Sequence, residues 1–376
     1  DKTTDKTTDK TTDKTTDNSI TNDVEEIFMI RQLRLPVCAV AVSLFGAVVA
    51  QAQQDQVIGS SGVPSSGQIT AMSPTEITIT VSGAPRKFAT NDIKMVIFGD
   101  EPRELENARN RVLQDQLEDA LSELEQIDAN SIRRDAVKQD LEYYTAYCKA
   151  KLALTGGGNK AEAASLMLNF VRNNSGSYHF FEAAEVLGDL ALSMQSYDSA
   201  EKYYSALGRA PWADYVLRSN VLVAKAQVAQ GKYAEASATY TKVISDPVTS
   251  PEAARQKLLA QVGKAVCLTN TGDVDTAIKG LESIIAENDP SDTALFARAY
   301  NALGGAYMKQ NKPKDALLAY LHVDLLFYGE TDAHAEALYY MSKLWSSPEI
   351  NQSARAVNAR NILKGRYAGS VWASKS

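Results

Sequence analysis

The segment before Glu101 alternates between apolar and polar positions, which is the pattern of short β-strands. The clearest run is Glu76–Val81, where isoleucine and valine alternate with threonine, and further strands are expected at Gln68–Met72 and Ile93–Phe98. We interpret Ser60–Gly67, which is rich in glycine and serine, as a loop. Four or five strands in so short a segment predict a small barrel or curled sheet, which buries too little area to be stable alone.

From Glu101 onward the apolar positions have the spacing of amphipathic helices, and one arrangement of residues occurs five times. In each copy a glycine or alanine is followed twelve residues later by alanine, and four residues further on by tyrosine or leucine. Two small residues allow antiparallel helices to approach closely, and the larger side chain fills the space beside them. The residues expected to make this packing, including one alanine from a sixth and less regular copy, are Ala120, Ala163, Gly188, Ala200, Tyr204, Ala236, Tyr240, Ala277, Gly304, Ala316 and Tyr320.

This arrangement resembles the tetratricopeptide repeat, and the copy that follows the pattern most closely runs from Tyr300 to Tyr320. The resemblance covers about residues 103–373, although the alanines of successive copies are 36 to 43 residues apart and the family's period is about 34. It implies a mainly α fold, an α-solenoid of six or seven helix pairs preceded by the small β module. Ala335–Trp345 and Ser353–Gly365 are expected to form a divergent capping pair.

The first 52 residues have a different character. Residues 1–28 begin with four copies of Asp-Lys-Thr-Thr and are predicted to be disordered. Residues 29–52 have the order of a secretory signal peptide, with two arginines, the apolar run Val37–Val49 and the small residues Ala50 and Ala52 at a cleavage site. We expect cleavage after this site. The alternative is a membrane anchor that is retained.

The sequence therefore predicts four segments: a disordered tract at 1–28, a signal peptide or anchor at 29–52, a β module at 53–100 and a repeat domain at 101–376. A signal peptide would direct the protein out of the cytoplasm, to the periplasm or cell envelope. If the signal is retained, the chain would instead be anchored in the inner membrane.

Composition narrows the possible chemistry. The net charge is −7 and the three cysteines are far apart, so neither a nucleic-acid partner nor a cysteine-based metal site is expected. Cys148 and Cys267 lie in separate predicted helices, and we favour two buried free thiols over a disulfide between them. The G-x-S-x-G motif of a nucleophile elbow does not occur. These observations predict a protein that is not an enzyme and needs no cofactor.

An alternative is that the helical repeats carry a site for a ligand or metal, or for catalysis. His322 and Asp324 are close in sequence to His334 and Glu336, and such side chains can bind zinc. The helix end and loop between them leave their convergence open. A repeat-scaffolded metal-binding protein or enzyme therefore remains a second hypothesis.

A helical array offers a concave surface that is lined by the first helix of each pair. Polar residues one turn away from the packing positions are expected on this surface, namely Glu182, Glu185, Asp189, Arg218, Lys225, Arg298 and Asn301. They place an acidic patch beside a basic one, although each alone could be part of a solvated helix face. The sequence is also similar in architecture to exported envelope repeat proteins. It predicts a scaffold or adaptor that binds a protein or peptide partner, with an unspecified oligomeric state.

Overall fold

The computed structural model describes residues 54–376, so the predicted disordered tract and the predicted signal or anchor lie outside the described residues. The first five elements are strands, and their bounds are β1 Asp55–Gly59, β2 Pro64–Met72, β3 Glu76–Val81, β4 Ala84–Ala89 and β5 Ile93–Ile97. They form one antiparallel sheet in the order β4-β3-β2-β1-β5. Because β4 and β5 are the two edges, the sheet is open. The prediction of a barrel is therefore wrong, and the alternative of a sheet is confirmed.

The interpretation of Ser60–Gly67 as a loop is wrong from Pro64 onward, where β2 begins. Residues 64–67 pair with β1, and residues 68–72 pair with β3. At the change of partner, a Cβ atom on Gly67 would lie 2.1 Å from the carbonyl oxygen of Thr80. Only glycine permits this close approach, so the residue that suggested a loop serves here to bring two backbones together.

Helices occupy most of the remaining chain, with 3₁₀ turns at Thr90–Asp92 and Ala129–Ser131. The bounds of the helices are α1 Arg103–Leu113, α2 Leu117–Leu124, α3 Asp135–Thr155, α4 Lys160–Asn173, α5 Phe180–Ser193, α6 Tyr197–Leu207, α7 Ala213–Ala229, α8 Tyr233–Ile244, α9 Pro251–Thr271, α10 Val274–Glu287, α11 Thr293–Lys309, α12 Pro313–Leu326, α13 Thr331–Trp345, α14 Ser353–Arg366 and α15 Val371–Ser374. The first fourteen form seven antiparallel pairs, α1 with α2 through α13 with α14. The solenoid predicted from the repeat is thus confirmed, including its divergent last pair.

The turn inside every pair contains one residue in the left-handed backbone region. These residues are Asp115, Gly156, Gln195, Gly231, Gly272, Asn311 and Asn351, with φ angles from 48° to 116°. Glycine adopts this region without steric cost, and asparagine and aspartate tolerate it better than most residues. A left-handed residue thus recurs although the turns differ in sequence and in length, from two residues at 272–273 to seven at 346–352.

The sheet and the first helix pairs share one hydrophobic core. Val57, Ile77 and Phe98 of the sheet segment pack in the same cluster as Leu105 of α1 and Leu141 of α3. The expectation that the small sheet depends on the helices is therefore confirmed, because the sheet has no separate core among the described residues.

An ion pair holds the first strand against the start of α3. The carboxylate of Asp55 accepts hydrogen bonds from the guanidinium of Arg134 at 2.7 and 2.9 Å, and from the amides of Ile69 and Gly99. Desolvation raises the pKa of Asp55, but these donors outweigh it and the pKa lies below its ordinary value.

The small residues predicted to pack the helix pairs are buried, from Ala120 to Ala316, as the interpretation requires. A Cβ atom on Gly188 would lie 2.3 Å from the ring of Tyr204, and one on Gly304 would lie 2.7 Å from the ring of Tyr320. Tyr240 differs, because its ring lies against Gly263 of the following pair. The tyrosines therefore close gaps both within a pair and between neighbouring pairs.

The C-terminal segment returns to the second helix pair. The amide of Gly369 donates to the carbonyl oxygen of Thr155 at 3.4 Å. Cβ atoms on Gly156 and Gly369 would each lie within 2.6 Å of the other's backbone, so the two backbones are in contact. We call this contact between residues 155–156 and 368–369 the glycine clasp. It brings the C-terminal segment, which follows the last helix pair, against the turn between α3 and α4.

Candidate functional site

The candidate site is a cavity of about 250 Å³ that we call the concave pocket. First helices of successive pairs contact one another through their backbones, as α3 and α5 do, or through side chains, as α5 and α7 do, and the pocket lies against this layer. Its lining includes Tyr143, Tyr144, Tyr147 and Lys151 of α3, Tyr178 and His179 before α5, Phe181, Glu182, Glu185, Val186 and Asp189 of α5, and Tyr215 and Arg218 of α7. Val112 and Leu113 of α1 and Ile93, Lys94 and Met95 of β5 complete one wall, with Thr90 beside them.

Three carboxylates follow one face of α5, because their positions differ by three and four residues. The hydroxyl of Tyr143 donates to Glu182 Oε2 at 3.0 Å, and the hydroxyl of Tyr204 donates to Asp189 Oδ1 at 2.7 Å. Arg218 Nη2 donates to Glu185 Oε1 at 2.6 Å and forms an ion pair between α7 and α5. The structure thus brings together four of the seven residues predicted for the concave surface.

Behind the pocket lies a buried chain of charged groups. Arg109 donates to both oxygens of Glu101 at 2.6 and 2.7 Å and to Asp140 Oδ2 at 2.9 and 3.1 Å. His179 then lies between Asp140 Oδ1 and Glu182 Oε2, with a distance of 3.3 Å from a ring nitrogen to each oxygen. The chain connects the end of the sheet to the exposed side chain of Glu182.

The protonation of these groups follows from their partners. Desolvation lowers the pKa of His179, but hydrogen bonds to Asp140 and Glu182 outweigh it and raise the pKa above its ordinary value. Desolvation raises the pKa of Glu182, yet His179 and the hydroxyl of Tyr143 hold it below the usual range. The pKa of Glu185 is raised, because desolvation exceeds the effect of Arg218. Glu182 therefore presents a charged carboxylate to the pocket.

Lysine 151 is another basic group on the pocket wall, which also includes Arg218 and Lys94. Desolvation lowers its pKa, but Asp189, Tyr147, Glu185 and Asp332 together outweigh it and the pKa is raised. Lys151 Nζ also lies 5.5 Å from the centre of the Tyr147 ring. This lysine is thus compensated by a carboxylate and an aromatic face.

The other three predicted residues lie outside the pocket lining. Lys225 is half-buried on α7 and Arg298 is exposed on α11. Asn301 is buried, and its Nδ2 donates to the carbonyl oxygen of Ala333 at 2.8 Å and lies 3.3 Å from Glu336 Oε2. Asn301 therefore joins α11 to α13 and is not part of an open surface.

The residues of the metal hypothesis do not converge on a common point. Both ring nitrogens of His334 have protein partners, Asp324 Oδ1 at 2.8 Å and the hydroxyl of Tyr367 at 2.7 Å. His322 is exposed, stacks on Tyr300 and has its Nδ1 2.8 Å from the carbonyl oxygen of Leu318. Among residues 54–376 no group of three or more metal-binding side chains occurs. These histidines stabilise the last helix pairs.

The two described cysteines are buried and unpaired, so the prediction of free thiols is confirmed. Burial raises the pKa of Cys148 to about 12 and that of Cys267 to about 11. Because the thiolate is the reactive form, neither side chain has the properties of a nucleophile at neutral pH.

Sequence reasoning missed much of the pocket wall. The tyrosines of α3 were not among the residues predicted for the concave surface, whereas Tyr144 and Tyr147 are half-buried and line the cavity. The contribution of Ile93 and Lys94 could not be anticipated, because no repeat pattern relates the sheet to the helices. Tyrosines at helical spacing beside a row of acidic positions were the available signal.

The fold and the pocket define a class of protein, an α-solenoid of helix pairs whose inner helices carry a polar and aromatic surface. The tetratricopeptide repeat model matches residues 149–214 and 223–293, and the chain contains tetratricopeptide repeats over these residues. No curated protein gives a significant match.

Solved structures include two that are similar to this chain. A tetratricopeptide repeat protein from Parabacteroides merdae is 14% identical, with a TM-score of 0.49, and the match covers 70% of this chain and 92% of that one. PilW, a type IV pilus biogenesis factor, is 17% identical, with a TM-score of 0.37 and coverage of 61% and 97%. Across residues 54–376, the helices include none with the length and apolar character needed to span a bilayer.

Proposed function

We propose that this protein is a non-enzymatic scaffold that binds an extended segment of a partner protein along its concave face, in the cell envelope. The concave pocket is the observation that supports this most directly. Aromatic rings and partly exposed charges lie side by side in it, which is the composition of a surface that recognises a polypeptide.

The groups in the pocket support binding and not catalysis. Each ring nitrogen of His179 already contacts a carboxylate, so His179 has no ring nitrogen free to activate a nucleophile. The carboxylates of α5 are likewise held by tyrosine, histidine or arginine donors. A rigid and preorganised wall of this kind binds a partner segment with little loss of side-chain entropy.

Site-specific cross-linking tests the use of the concave face. A photoreactive benzophenone amino acid at Leu113, which is 62% exposed at the pocket rim, is expected to yield a discrete cross-linked partner in the native cell. The same amino acid at Glu118, which is exposed on α2, is the control and should yield no such product. Equal products from both positions would contradict binding in the pocket.

Export is a separate part of the proposal and has its own test. N-terminal sequencing of the native protein should give a chain that starts at Gln53, because the apolar segment ends in a signal-type cleavage site. A chain that retains residues 35–50 would instead indicate the anchored form. Recovery of the protein in the cytoplasmic fraction would contradict both.

A further inference from the structure

We propose that the concave pocket receives a basic side chain, arginine or lysine, from the partner segment. The inference rests on the proposed scaffold function and specifies which chemistry the pocket recognises. It combines three independent features of the pocket: its size, its aromatic wall and its charge.

The size of the pocket suits one long side chain. Its volume of about 250 Å³ is below the range of roughly 300–1,000 Å³ that is common for sites of drug-sized ligands. A folded element would not enter it. An extended segment that lies along the inner helices could insert a single residue.

The wall of the pocket is aromatic next to the exposed carboxylate. Tyr143 bonds to Glu182, and Glu182 contributes to the raised pKa of Tyr215, which is about 12 mainly because of burial. Phe181 adjoins Glu182 in α5 and lies with its ring centre 6.0 Å from that of Tyr215. The pairing of Lys151 with the Tyr147 ring shows that this wall already accommodates a cation.

The charge of the site favours a cation. Arg218 is paired with Glu185, and Lys151 lies in the field of Asp189, so these two basic groups are compensated. The buried chain that ends at Glu182 contains three carboxylates, on Glu101, Asp140 and Glu182, against one arginine and one histidine. With its three carboxylates ionised and His179 protonated, the chain has one net negative charge, and its exposed member is Glu182.

The side chain of Glu182 is 58% exposed, whereas those of Glu101 and Asp140 are at most 4% exposed. A partner cation can therefore reach the negative charge only at Glu182. Lys94 is the opposing group, because it is exposed at the rim on β5 and would repel an arriving cation. Removal of Lys94 should therefore strengthen the binding of a cation, whereas removal of Glu182 should weaken it.

Peptide titration tests the assignment. The probe is acetyl-Gly-Ser-Arg-Ser-Gly-amide, compared with the same peptide containing citrulline, which has the shape of arginine without its charge. The chain has three tryptophans, and ¹⁹F NMR of the 5-fluorotryptophan protein reports on Trp212, whose ring centre is 5.1 Å from that of Tyr215. Replacement of Trp212 by phenylalanine assigns its resonance.

We expect the arginine peptide to bind at least about ten-fold more tightly than the citrulline peptide, with an affinity that falls as salt rises. Glu182→Gln should reduce the affinity for the arginine peptide to that for the citrulline peptide. Lys94→Ala should increase the affinity for the arginine peptide. Glu118→Gln removes the same charge at an exposed position on α2 and should have no effect.

Glutamine at 182 retains an acceptor for the Tyr143 hydroxyl, and an unchanged melting temperature would show that the variant is folded. If it is not folded, the variant Tyr215→Leu takes its place. It removes one aromatic face and should weaken the binding of the arginine peptide only. Equal affinities for the two peptides, or no saturable binding up to about 10 mM, would overturn the assignment. Cross-linking at Leu113 without an arginine preference would overturn it and leave the scaffold function in place.

Discussion

Arginine 109 is the central cation of the buried ion network in the N-terminal half. Its side chain is 1% exposed and is held by Glu101 and Asp140, which are themselves buried. Desolvation lowers its pKa, but the two carboxylates outweigh this effect and the pKa is raised. An ion network of this depth is stable only when every member keeps its partner, because an unpaired buried charge is costly.

Substitution of Arg109 by alanine should therefore destabilise the fold by about 3–5 kcal/mol, since it leaves Glu101 buried without a counter-ion and Asp140 paired with His179 alone. Arg111→Ala is the matched control, two residues further along the same helix. Its side chain is 37% exposed and pairs with Asp119 and Glu123 at the surface, so its loss should cost less than about 1 kcal/mol. Chemical denaturation measures both values, and similar losses would contradict the network.

Glu336 predicts a dependence of stability on pH. Desolvation raises its pKa from 4.5 to about 7, and Asp332 adds to this effect against the opposing influence of Asn301, Lys225 and Lys375. Between these two pH values the folded chain keeps a proton that the unfolded chain has lost. The free energy of unfolding should therefore fall as pH rises from about 4.5 to about 7.

The variant Glu336→Gln removes this titration. Over the same pH interval the original protein should lose about 1–3 kcal/mol more stability than the variant. Urea denaturation at several pH values gives the comparison. Parallel pH profiles for the two proteins would show that Glu336 has an ordinary pKa.

The helix pair is the element that the repeat specifies. A tyrosine on the second helix packs on a glycine of a first helix at Gly188, Gly263 and Gly304, where no side chain would fit. The turn between the two helices always includes one left-handed residue. Close contact and turn geometry together fix the angle at which a pair forms.

At this scale Gly188→Ala should destabilise the protein by about 1–3 kcal/mol, because the added methyl group displaces the ring of Tyr204. Gly280→Ala is the control in α10, where no atom lies within 4 Å of the added Cβ. It should be neutral or stabilise by up to about 1 kcal/mol, since alanine favours helix more than glycine does. In thermal unfolding, the melting temperature of Gly188→Ala should fall, and that of Gly280→Ala should stay unchanged or rise.

The whole molecule is an array whose C-terminal segment meets its second helix pair at the glycine clasp. Asp332 at the start of α13 also influences the pKa values of Lys151 and Lys160, which lie on α3 and α4. The start of the last helix pair is thus within electrostatic range of α3 and α4.

Gly369→Val should separate the clasp, because its side chain would collide with the backbone of Gly156 and the carbonyl oxygen of Ala153. We expect a larger radius of gyration in small-angle X-ray scattering and faster hydrogen exchange at residues 153–158. Gly365→Val is the control, since no atom lies within 4 Å of its Cβ. An unchanged scattering profile for Gly369→Val would count against the clasp.

The candidate site was predictable only in part. Glu182, Glu185 and Asp189 follow from helical spacing on α5, and Arg218 follows from the corresponding position on α7. Asn301 has a similar position in its repeat but is buried, because α13 packs over it. A position within a repeat therefore predicts the face of a helix, whereas exposure depends on the neighbouring helix.

The sequence by itself determined the helix pairs, the close packing of glycine and alanine and the free cysteines, because these depend on residues a few turns apart or on composition. Only the tertiary structure decided that the sheet is open, that β5 lines the pocket and that the C-terminal segment reaches Thr155. Arg109 meets Asp140 across 31 residues and Gly369 meets Thr155 across most of the array. The first contact depends on how two neighbouring pairs pack, and the second on the small rotation between successive pairs summed over the solenoid, which no local pattern encodes.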